Sequence, residues 1–340
     1  MRAKITIKNV ARKAGVSTST VSRVLSPQIN SYMREKTRGK VLKAIKELDY
    51  KPDMRAQSLR GMGTRIIGLI TPDALNPFYQ ELAYMLEEVC YREKYGLLVC
   101  NSKNSSTREL AYIDLLERQK VDGIILSTVG LNKARISSLT KRGIPIVLVD
   151  RNVPGADVPV IFTNNYLGGC QATQYLIDLG HKKIACIAGA MNALSSINRL
   201  KGYCDTLKKN GLEIDKKLIK EGKLTYKDGH KLMKELLRKY DNEFTAIFCL
   251  NDLVALGAMR AIQEEGKSIP SDYSIIGFDN ISFSFISNPP LTTIAQPIKE
   301  IAQGALKRIK RAKKQGSLRE KEHQFWDTKL IVRESCRKIN

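Results

Sequence analysis

The first fifty residues place apolar side chains at the three- and four-residue spacing of short helices. Two apolar stripes have this spacing on either side of a glycine: Val10, Ala11 and Ala14, then Val21, Val24 and Leu25. A third set consists of Val41, Leu42, Ile45 and Leu48. Ser17 is a suitable N-cap for the second helix, and Pro52 cannot continue the third. The pattern therefore predicts a helix, a tight turn at Gly15, a second helix, and a third helix that ends near Asp49.

The pattern changes at Thr64 to short, nearly continuous apolar runs. Eight of them begin at Arg65, Gly96, Gly123, Pro145, Val160, Lys183, Ala246 and Ser274. Amphipathic segments of helical length separate most of these runs. Such runs are typical of strands that are buried on both faces of a parallel sheet. So many strands over about 270 residues predict a doubly wound α/β architecture with two sheets.

Polar side chains are concentrated where these strands end. They are Asn76 with Phe78, Asp150 with Arg151, Asn164 with Asn165, Asn251 with Asp252, Asp279 and Gln296. Ligands of doubly wound sheets bind beyond the carboxyl ends of the strands. Carboxylates accept and arginines donate hydrogen bonds, which suits the hydroxyls of a sugar. The alternative for individual members is that they only cap helices, as Asn251 or Asp252 could.

The outward face of the predicted second helix carries only short polar side chains and one arginine: Thr18, Ser19, Ser22 and Arg23. Such a face can approach base edges in the major groove, but a solvated helical hairpin would look the same. Charge favours the first interpretation. Residues 1–60 contain 15 Lys or Arg and 4 Asp or Glu, a net charge of +11 out of +23 for the chain.

Several classes of protein and site have little support. The chain starts without an apolar run of signal-peptide length, and no run approaches the roughly 20 apolar residues that span a bilayer, so we expect a cytoplasmic protein. The seven cysteines form no close pairs, and the three histidines have no motif spacing. We therefore expect buried cysteines without disulfides, no metal, no cofactor, no catalytic residues and no enzymatic activity.

The stretch 52–61, PDMRAQSLRG, reads as a two-turn helix that begins after Asp53 and ends at Gly61. Isolated helices this short are marginal in water, so it should form only against DNA or a second copy of itself. Leu59 then has two possible roles. It packs onto the following domain, or it inserts into a partner surface.

The chain resembles the LacI/GalR family of bacterial transcription regulators from Ile5 to about Ser335. The motifs that carry the resemblance follow the order of the family: VARKAGVSTSTVSRVL, TRGKVLKAIKELDYKPDMRAQSL, NPFY, PIVLVDR, TNNYLGG, LGHKKIACIAG, INRLKGY, LNDLVALGAM, SIIGFDN, PPLTTIAQP and LIVRES. Asp49 stands where the family commonly has Gly, and Asp53 where it has Asn. Asn164 and Asn280 occupy positions that are frequently Asp.

The resemblance implies a DNA-binding head over residues 1–51 and a hinge helix and linker over 52–63. The second helix would read the major groove through Thr18, Ser19 and Arg23, and Thr6 would hold a phosphate. The hinge helix would pair with that of a dimer mate in the minor groove, with Leu59 as the wedge. The implied DNA-binding residues are Thr6, Ser17, Thr18, Ser19, Thr20, Ser22, Arg23, Arg55, Ala56 and Leu59. A homodimer implies a near-palindromic operator.

The resemblance further implies a type I periplasmic-binding-protein core over residues 64–340. Its N-subdomain would comprise about 64–162 and 293–325, and its C-subdomain about 163–292 and 326–340. The chain would cross between them three times, near 162–164, 291–293 and Phe325. The implied effector-binding residues are Asn76, Phe78, Arg151, Arg199, Phe248, Asn251, Asp279 and Gln296. For Phe248, a strand core position is at least as good an interpretation.

The sequence thus predicts a DNA-binding repressor that is controlled by a small molecule, most simply a sugar or sugar derivative. The basic run Lys307 to Lys314, KRIKRAKK, favours a solvated helix face, but one family member binds an acidic phosphocarrier protein as corepressor in this region. A sugar-binding transport protein is the alternative from another class. It would need a signal peptide and would lack residues 1–60.

Overall fold

The computed structural model describes residues 5–25, 33–50, 63–189, 193–315 and 323–339. The chain forms two compact units, Met1–Thr64 and Arg65–Asn340. Among the described residues, no helix combines the length and apolar character that crossing a membrane requires.

The first unit contains helices α1 (Ile7–Ala14), α2 (Thr18–Val24) and α3 (Glu35–Glu47). Their buried core is Val10, Ala11, Ala14, Val21, Val24, Val41 and Ala44, which includes most of the predicted stripes. Leu42 differs from the expectation, because its side chain is 47% exposed and Ala44 takes the core position instead. Gly15 has φ +65°, a left-handed conformation that turns the chain between α1 and α2. Asp49 adopts the same region, with φ +43°.

The second unit alternates strands and helices throughout. Its first part contains β1 (Ile66–Thr71), α4 (Pro77–Arg92), β2 (Gly96–Asn101), α5 (Ser106–Arg118), β3 (Gly123–Leu126), α6 (Lys133–Lys141), β4 (Ile146–Val149) and β5 (Val160–Thr163). The next part contains α7 (Asn165–Asp178), β6 (Ile184–Ala188), α8 (Leu194–Lys209), a 3₁₀ turn (Lys216–Leu218), β7 (Ile219–Glu221), α9 (Tyr226–Tyr240), β8 (Ala246–Cys249), α10 (Asp252–Glu264), β9 (Ser274–Asp279), α11 (Ser282–Ile286) and β10 (Thr292–Ala295). The last elements are α12 (Ile298–Gln315), β11 (His323–Trp326) and β12 (Lys329–Ile331).

Two six-stranded sheets organise these elements, with strand orders β11-β5-β4-β3-β1-β2 and β12-β10-β9-β8-β6-β7. Every strand pair is parallel except β10 with β12. Apolar side chains fill both faces of each sheet. The predicted two-sheet, doubly wound architecture is confirmed. We call the first sheet with its packed helices the N-subdomain and the second the C-subdomain.

The chain crosses between the subdomains three times, and two of the crossings lie later than the sequence predicts. The first falls between β5 and α7, as expected. Strand β10 pairs in register with β9, from Thr292 opposite Ile276 to Ala295 opposite Asp279, so the second crossing follows Ala295 rather than residue 293. Trp326 still pairs with Thr163 in the N-subdomain sheet, so the third crossing follows Trp326 rather than Phe325.

Candidate functional site

The start of α1 is stabilised by a local hydrogen-bonded pair. The side-chain oxygen of Asn9 accepts from the backbone amide of Thr6 at 2.9 Å and from its hydroxyl at 2.6 Å. Thr6 therefore sits in an extended conformation at the helix N-terminus, which is where backbone amides are available to an anion. The phosphate contact of Thr6 itself stays a prediction.

The start of α2 is fixed by a hydroxyl cluster around Ser17. Its Oγ accepts from the backbone amide of Thr20 at 3.1 Å, which is the expected N-cap. The same oxygen lies 2.7 Å from Ser19 Oγ and 2.9 Å from Thr20 Oγ1. Thr18, Ser19 and Arg23 are exposed on the surface of α2, while its opposite face packs into the core of the unit. The helix thus presents short polar groups and one cation to solvent on a rigid support.

Residues 51–62 lie outside the described residues, and they include the whole of the predicted hinge helix. Three of the expected DNA-binding residues, Arg55, Ala56 and Leu59, belong to this stretch. The loop 26–32 lies outside the described residues too.

A buried ion pair marks the C-subdomain side of the expected cleft. Arg199, on α8, is only 4% exposed, and Asp279, at the end of β9, is 6% exposed. Arg199 Nη1 lies 3.3 Å from Asp279 Oδ1 and donates to the carbonyl of Leu250 at 2.6 Å. Its Nε donates to Asn165 Oδ1 at 2.7 Å, and the guanidinium lies 3.6 Å from the centre of the Phe278 ring. Arg199 is therefore held in one orientation by four neighbours.

Burial affects the pKa of Asp279 more strongly than its hydrogen-bond and ion-pair partners do. Desolvation raises the pKa of this carboxyl from 3.8 to about 6, although Arg199 and a hydrogen bond from Gln296 lower it. The negative charges of Asp150 and Glu81, from the N-subdomain, also raise it. Asp279 has φ +111°, a conformation that is rare for a residue with a side chain. Asp279 thus combines a strained backbone conformation with a carboxyl group whose ionised form is disfavoured by burial and by two acidic residues of the N-subdomain.

Gln296 connects this pair to the first crossing. Its Nε2 donates to Asp279 Oδ1 at 2.6 Å, and its Oε1 accepts from the hydroxyl of Thr163 at 2.6 Å. Thr163 ends β5 and Gln296 follows β10, so the hydrogen bonds join two of the crossing segments. The carboxylate, carboxamide and hydroxyl form one continuous buried network.

On the N-subdomain side of the expected cleft, the expected effector residues lie at the start of α4 and just after β4. Asn76 caps α4, since its side-chain oxygen accepts from the amide of Phe78 at 3.0 Å. The Phe78 ring is nearly buried and meets the Tyr79 ring edge-on at 5.1 Å. Tyr79 donates its hydroxyl to Asp150 Oδ2 at 2.8 Å, and burial raises the pKa of this phenol well above its usual value. Arg151 Nη1 donates to the carbonyl of Thr128 at 3.4 Å.

Two of the expected effector residues, Phe248 and Asn251, have structural roles in the C-subdomain. Phe248 is 0% exposed and packs in the C-subdomain core, with its ring centre 6.4 Å from that of Tyr203, so the strand-core interpretation applies to it. Asn251 caps α10 by accepting from the amide of Val254 at 2.9 Å, and its amide group donates to the carbonyl of Leu224 at 3.2 Å. Its capping role, foreseen as an alternative, is therefore present. The other six residues lie at strand ends or on the helices that follow them.

Comparisons with known proteins agree with this division into a head and a core. Residues 6–53 match the family described as "Bacterial regulatory proteins, lacI family", and residues 64–319 match "Periplasmic binding proteins and sugar binding domain of LacI family". The chain belongs to the LacI family. The HTH-type transcriptional repressor PurR of Histophilus somni is 36% identical over 338 residues, which is 98% of this chain and 99% of the relative.

Solved structures of LacI-family proteins have the same fold. The lac repressor dimer bound to operator and an anti-inducer has a TM-score of 0.86 and 27% identity, covering 98% of this chain and 100% of that chain. A LacI-family regulator of Enterococcus faecium with bound ribose has a TM-score of 0.73 and 31% identity, covering 81% and 100%. This LacI-family chain is accordingly a DNA-binding transcriptional repressor with a small-molecule effector, and its relatives are regulators rather than enzymes.

Several residues of the LacI-family cleft have roles that the sequence did not show. Asn165 holds Arg199 and Thr163 holds Gln296, although their only signal was a position at a strand end. Tyr79 was noted only as part of the motif NPFY, and the structure brings its hydroxyl to Asp150. Asp252 is fully buried, and accepts from the hydroxyl of Thr293 at 2.6 Å and from the amide of Ile281 at 2.9 Å.

Proposed function

We propose that this LacI-family chain is a sugar-responsive repressor that acts in the cytoplasm as a homodimer on a near-palindromic operator. The observation that carries the effector assignment is the Arg199–Asp279–Gln296–Thr163 network, a set of buried donors and acceptors at the ends of parallel strands. Such a set suits vicinal hydroxyls, because each polar group left without a partner by a wrong ligand costs binding energy.

The effector residues that we assign are Asn76, Phe78, Arg151, Arg199, Asp279 and Gln296, with Asn251 fixing the loop at Leu224. The negative charge of Asp150, at the end of β4 in the N-subdomain, raises the pKa of Asp279 in the C-subdomain. A neutral polyol donates hydrogen bonds to both carboxylates and draws the subdomains together. The ribose bound to the Enterococcus faecium relative makes an aldopentose the first candidate.

For the operator, we assign base reading to Thr18, Ser19 and Arg23 and phosphate contacts to Thr6, Ser17, Thr20 and Ser22. The exposure of Thr18, Ser19 and Arg23 on a helix whose other face is buried supports this assignment. Minor-groove insertion by Leu59, with Arg55 and Ala56 beside it, belongs to the same proposal.

The basic run on α12 fits a structural role better than a protein corepressor site. Lys310 forms an ion pair with Glu93, and Lys313 forms one with the buried Asp122. Both acids belong to the N-subdomain. At least two cations of the run are therefore used within the chain, which leaves less charge for an acidic partner protein.

Thermal unfolding in the presence of D-ribose, other pentoses, hexoses, sugar phosphates and purines tests the effector class. A bound effector must raise the melting temperature by mass action. Operator affinity is then measured with and without the stabilising compound, and effector affinity with and without operator. Linkage requires both ratios to be equal, typically ~1–3 kcal/mol when expressed as free energy. Stabilisation by purines alone, or equal effector affinity for free and operator-bound protein, would contradict the proposal.

A further inference from the structure

The loop between β3 and α6 is tied to a buried carboxylate of α5. Glu109 is 0% exposed, although it carries a group that is almost never buried without partners. Its Oε1 accepts from the hydroxyl of Thr128 at 2.8 Å and from the amide of Gly130 at 3.4 Å. Its Oε2 accepts from the amide of Val129 at 2.7 Å. Three donors from three consecutive residues therefore converge on one side chain.

The three donors of the loop face a side chain that supplies two acceptor oxygens. A carboxylate offers only acceptor sites, whereas glutamine would turn one oxygen into a donor and face it with an N–H or O–H. The Thr128 hydroxyl, which donates to Glu109, also accepts from the amide of Leu131 at 3.1 Å. Gly130 lies against the first turn of α5, where an added Cβ would come within 2.6 Å of the Ser106 side chain. The loop is thus fixed through both its hydrogen bonds and its packing.

The same loop also makes hydrogen bonds to side chains of the expected cleft. The carbonyl of Thr128 accepts from Arg151 Nη1 at 3.4 Å. The hydroxyl of Ser127, one residue earlier, donates to Tyr79 at 3.4 Å, and Tyr79 in turn donates to Asp150. Arg151 is therefore bound by Thr128, which donates directly to Glu109. Asp150 is linked through Tyr79 to Ser127, the neighbour of Thr128 in the chain.

We propose that Glu109 is a positioning residue of the effector site, which sets the orientation of Arg151 and Asp150 through the loop 127–131 without touching the effector. This inference rests on the proposed function, because it takes the end of β4 as part of the effector site. The proposal gives Glu109 a role in the effector site that another buried carboxylate of the N-subdomain, Asp122, does not have.

Asp122 provides the matched control. It is also a buried carboxylate, 6% exposed, and it accepts from the backbone amide of Arg65 at 3.2 Å and pairs with Lys313. It precedes the amino end of β3, whereas the loop 127–131 follows the carboxyl end. Asp122→Asn makes the same chemical change as Glu109→Gln at the end of the sheet remote from the cleft.

The test compares full-length wild type, Glu109→Gln and Asp122→Asn by hydrogen exchange and by titration with D-ribose. Glu109→Gln should speed exchange of the amides at 129–131 at least tenfold and weaken ribose binding at least tenfold. Asp122→Asn should change either quantity less than twofold. If Glu109→Gln does not fold, Thr128→Val replaces it, because it removes the hydroxyl that links Glu109 to Leu131.

A third measurement separates positioning from loss of stability. In an Arg151→Ala, Asp150→Asn background, Glu109→Gln should weaken ribose binding less than twofold, while its effect on the melting temperature should persist. Equal loss of ribose affinity in both backgrounds would overturn the positioning role, as would unchanged exchange at 129–131. If wild type binds no ribose, the proposed effector class fails, and the exchange data alone decide whether Glu109 holds the loop.

Discussion

At the scale of single residues, the cleft combines rigid donors with carboxylates whose ionisation costs free energy. Asp279 is the clearest case, because its pKa of about 6 belongs to the folded state and lies above the ordinary value of 3.8. Protonated Asp279 is compatible with burial, whereas ionised Asp279 is not fully compensated by Arg199. The site is therefore pH-sensitive in the range in which its carboxylate titrates.

Asp279→Asn tests this sensitivity. Because the pKa is raised by folding, the stability contribution of Asp279 is fully present below pH 3.8 and is lost as pH rises through 6. The loss amounts to about 3 kcal/mol at pH 7. Urea unfolding between pH 4 and pH 7 should show that the free energy of unfolding falls with pH more steeply in wild type than in the variant. Parallel curves would contradict the raised pKa.

Arg23→Ala tests base reading by α2. Arg23 is exposed on the helix that we assign to the major groove, and a bidentate contact from arginine to a base is worth ~1–3 kcal/mol. Operator affinity should fall by this amount, and the preference at one operator position should relax. A selection experiment with a randomised operator measures both. A uniform loss across all sequences would make Arg23 a phosphate contact.

The sequence predicted polar strand ends but not how they are connected. Asp279 could be recognised because a polar residue at the end of a buried apolar run is conspicuous. Tyr79 could not, since it lies on the buried apolar face of α4 and its hydroxyl meets Asp150 only in the folded chain. Phe248 shows the opposite case. The family resemblance implies a place in the cleft, but every residue of β8 is buried and Phe248 packs in the C-subdomain core, the alternative that the sequence also allowed.

At the scale of elements, the interface between α7 and α8 determines where Arg199 lies. The two helices approach so closely that a Cβ on Gly202 would lie 2.3 Å from the backbone oxygen of Tyr166. A Cβ on Gly169 would likewise lie 2.2 Å from the backbone oxygen of Arg199. Backbone packs against backbone here, so no side-chain rotation can make room. The position of α8, and with it the Arg199 guanidinium, depends on this contact.

Gly202→Ala should separate α7 from α8. Overpacking of this kind costs ~1–3 kcal/mol of stability, and the displacement should break the hydrogen bond between Arg199 and Asn165. We expect both a lower melting temperature and a loss of affinity for D-ribose, measured by calorimetry. Lys208→Ala, at an exposed position of the same helix, is the control and should leave both quantities nearly unchanged. Ribose affinity equal to that of wild type in Gly202→Ala would contradict this dependence.

Element prediction succeeded for strands with a continuous apolar run and failed for strands without one. All eight strands predicted from apolar runs are present. The strands that were missed include β7, β11 and β12, which are three or four residues long and exposed on at least one face. These three strands have no continuous apolar run, so periodicity alone cannot identify them. The second and third crossings follow β10 and β11, two strands that also lack a continuous apolar run.

At the scale of the whole molecule, the predicted DNA-binding region and the proposed effector site differ in how their charges are exposed to solvent. The net charge of +11 in residues 1–60 lies with the predicted DNA-binding residues, whereas the cleft buries its ion pair between Arg199 and Asp279. Solvent-exposed charges are screened by salt, and buried pairs are screened much less. The two activities should therefore respond differently to ionic strength.

Raising salt from 50 to 200 mM should reduce affinity for non-specific DNA by ~10³ to 10⁵ if six to ten phosphates are contacted. Affinity for D-ribose, a neutral ligand in a buried site, should change less than twofold. Fluorescence anisotropy with labelled DNA and calorimetry with ribose measure the two affinities in the same buffers. A ribose affinity that falls with salt as steeply as DNA affinity would place the effector at an exposed charged surface.

The three crossings also constrain the order in which the chain can fold during synthesis. The face of the N-subdomain sheet that α4 covers is completed by Ile301, Ala302, Ala305, Leu306 and Ile309 of α12. The edge of that sheet is completed by β11, more than 150 residues after its neighbour β5. Since loop closure precedes such contacts, the nascent N-subdomain leaves the ribosome with one apolar face open until residue 309 has been made. The C-subdomain, five of whose six strands lie between residues 184 and 295, approaches completion first.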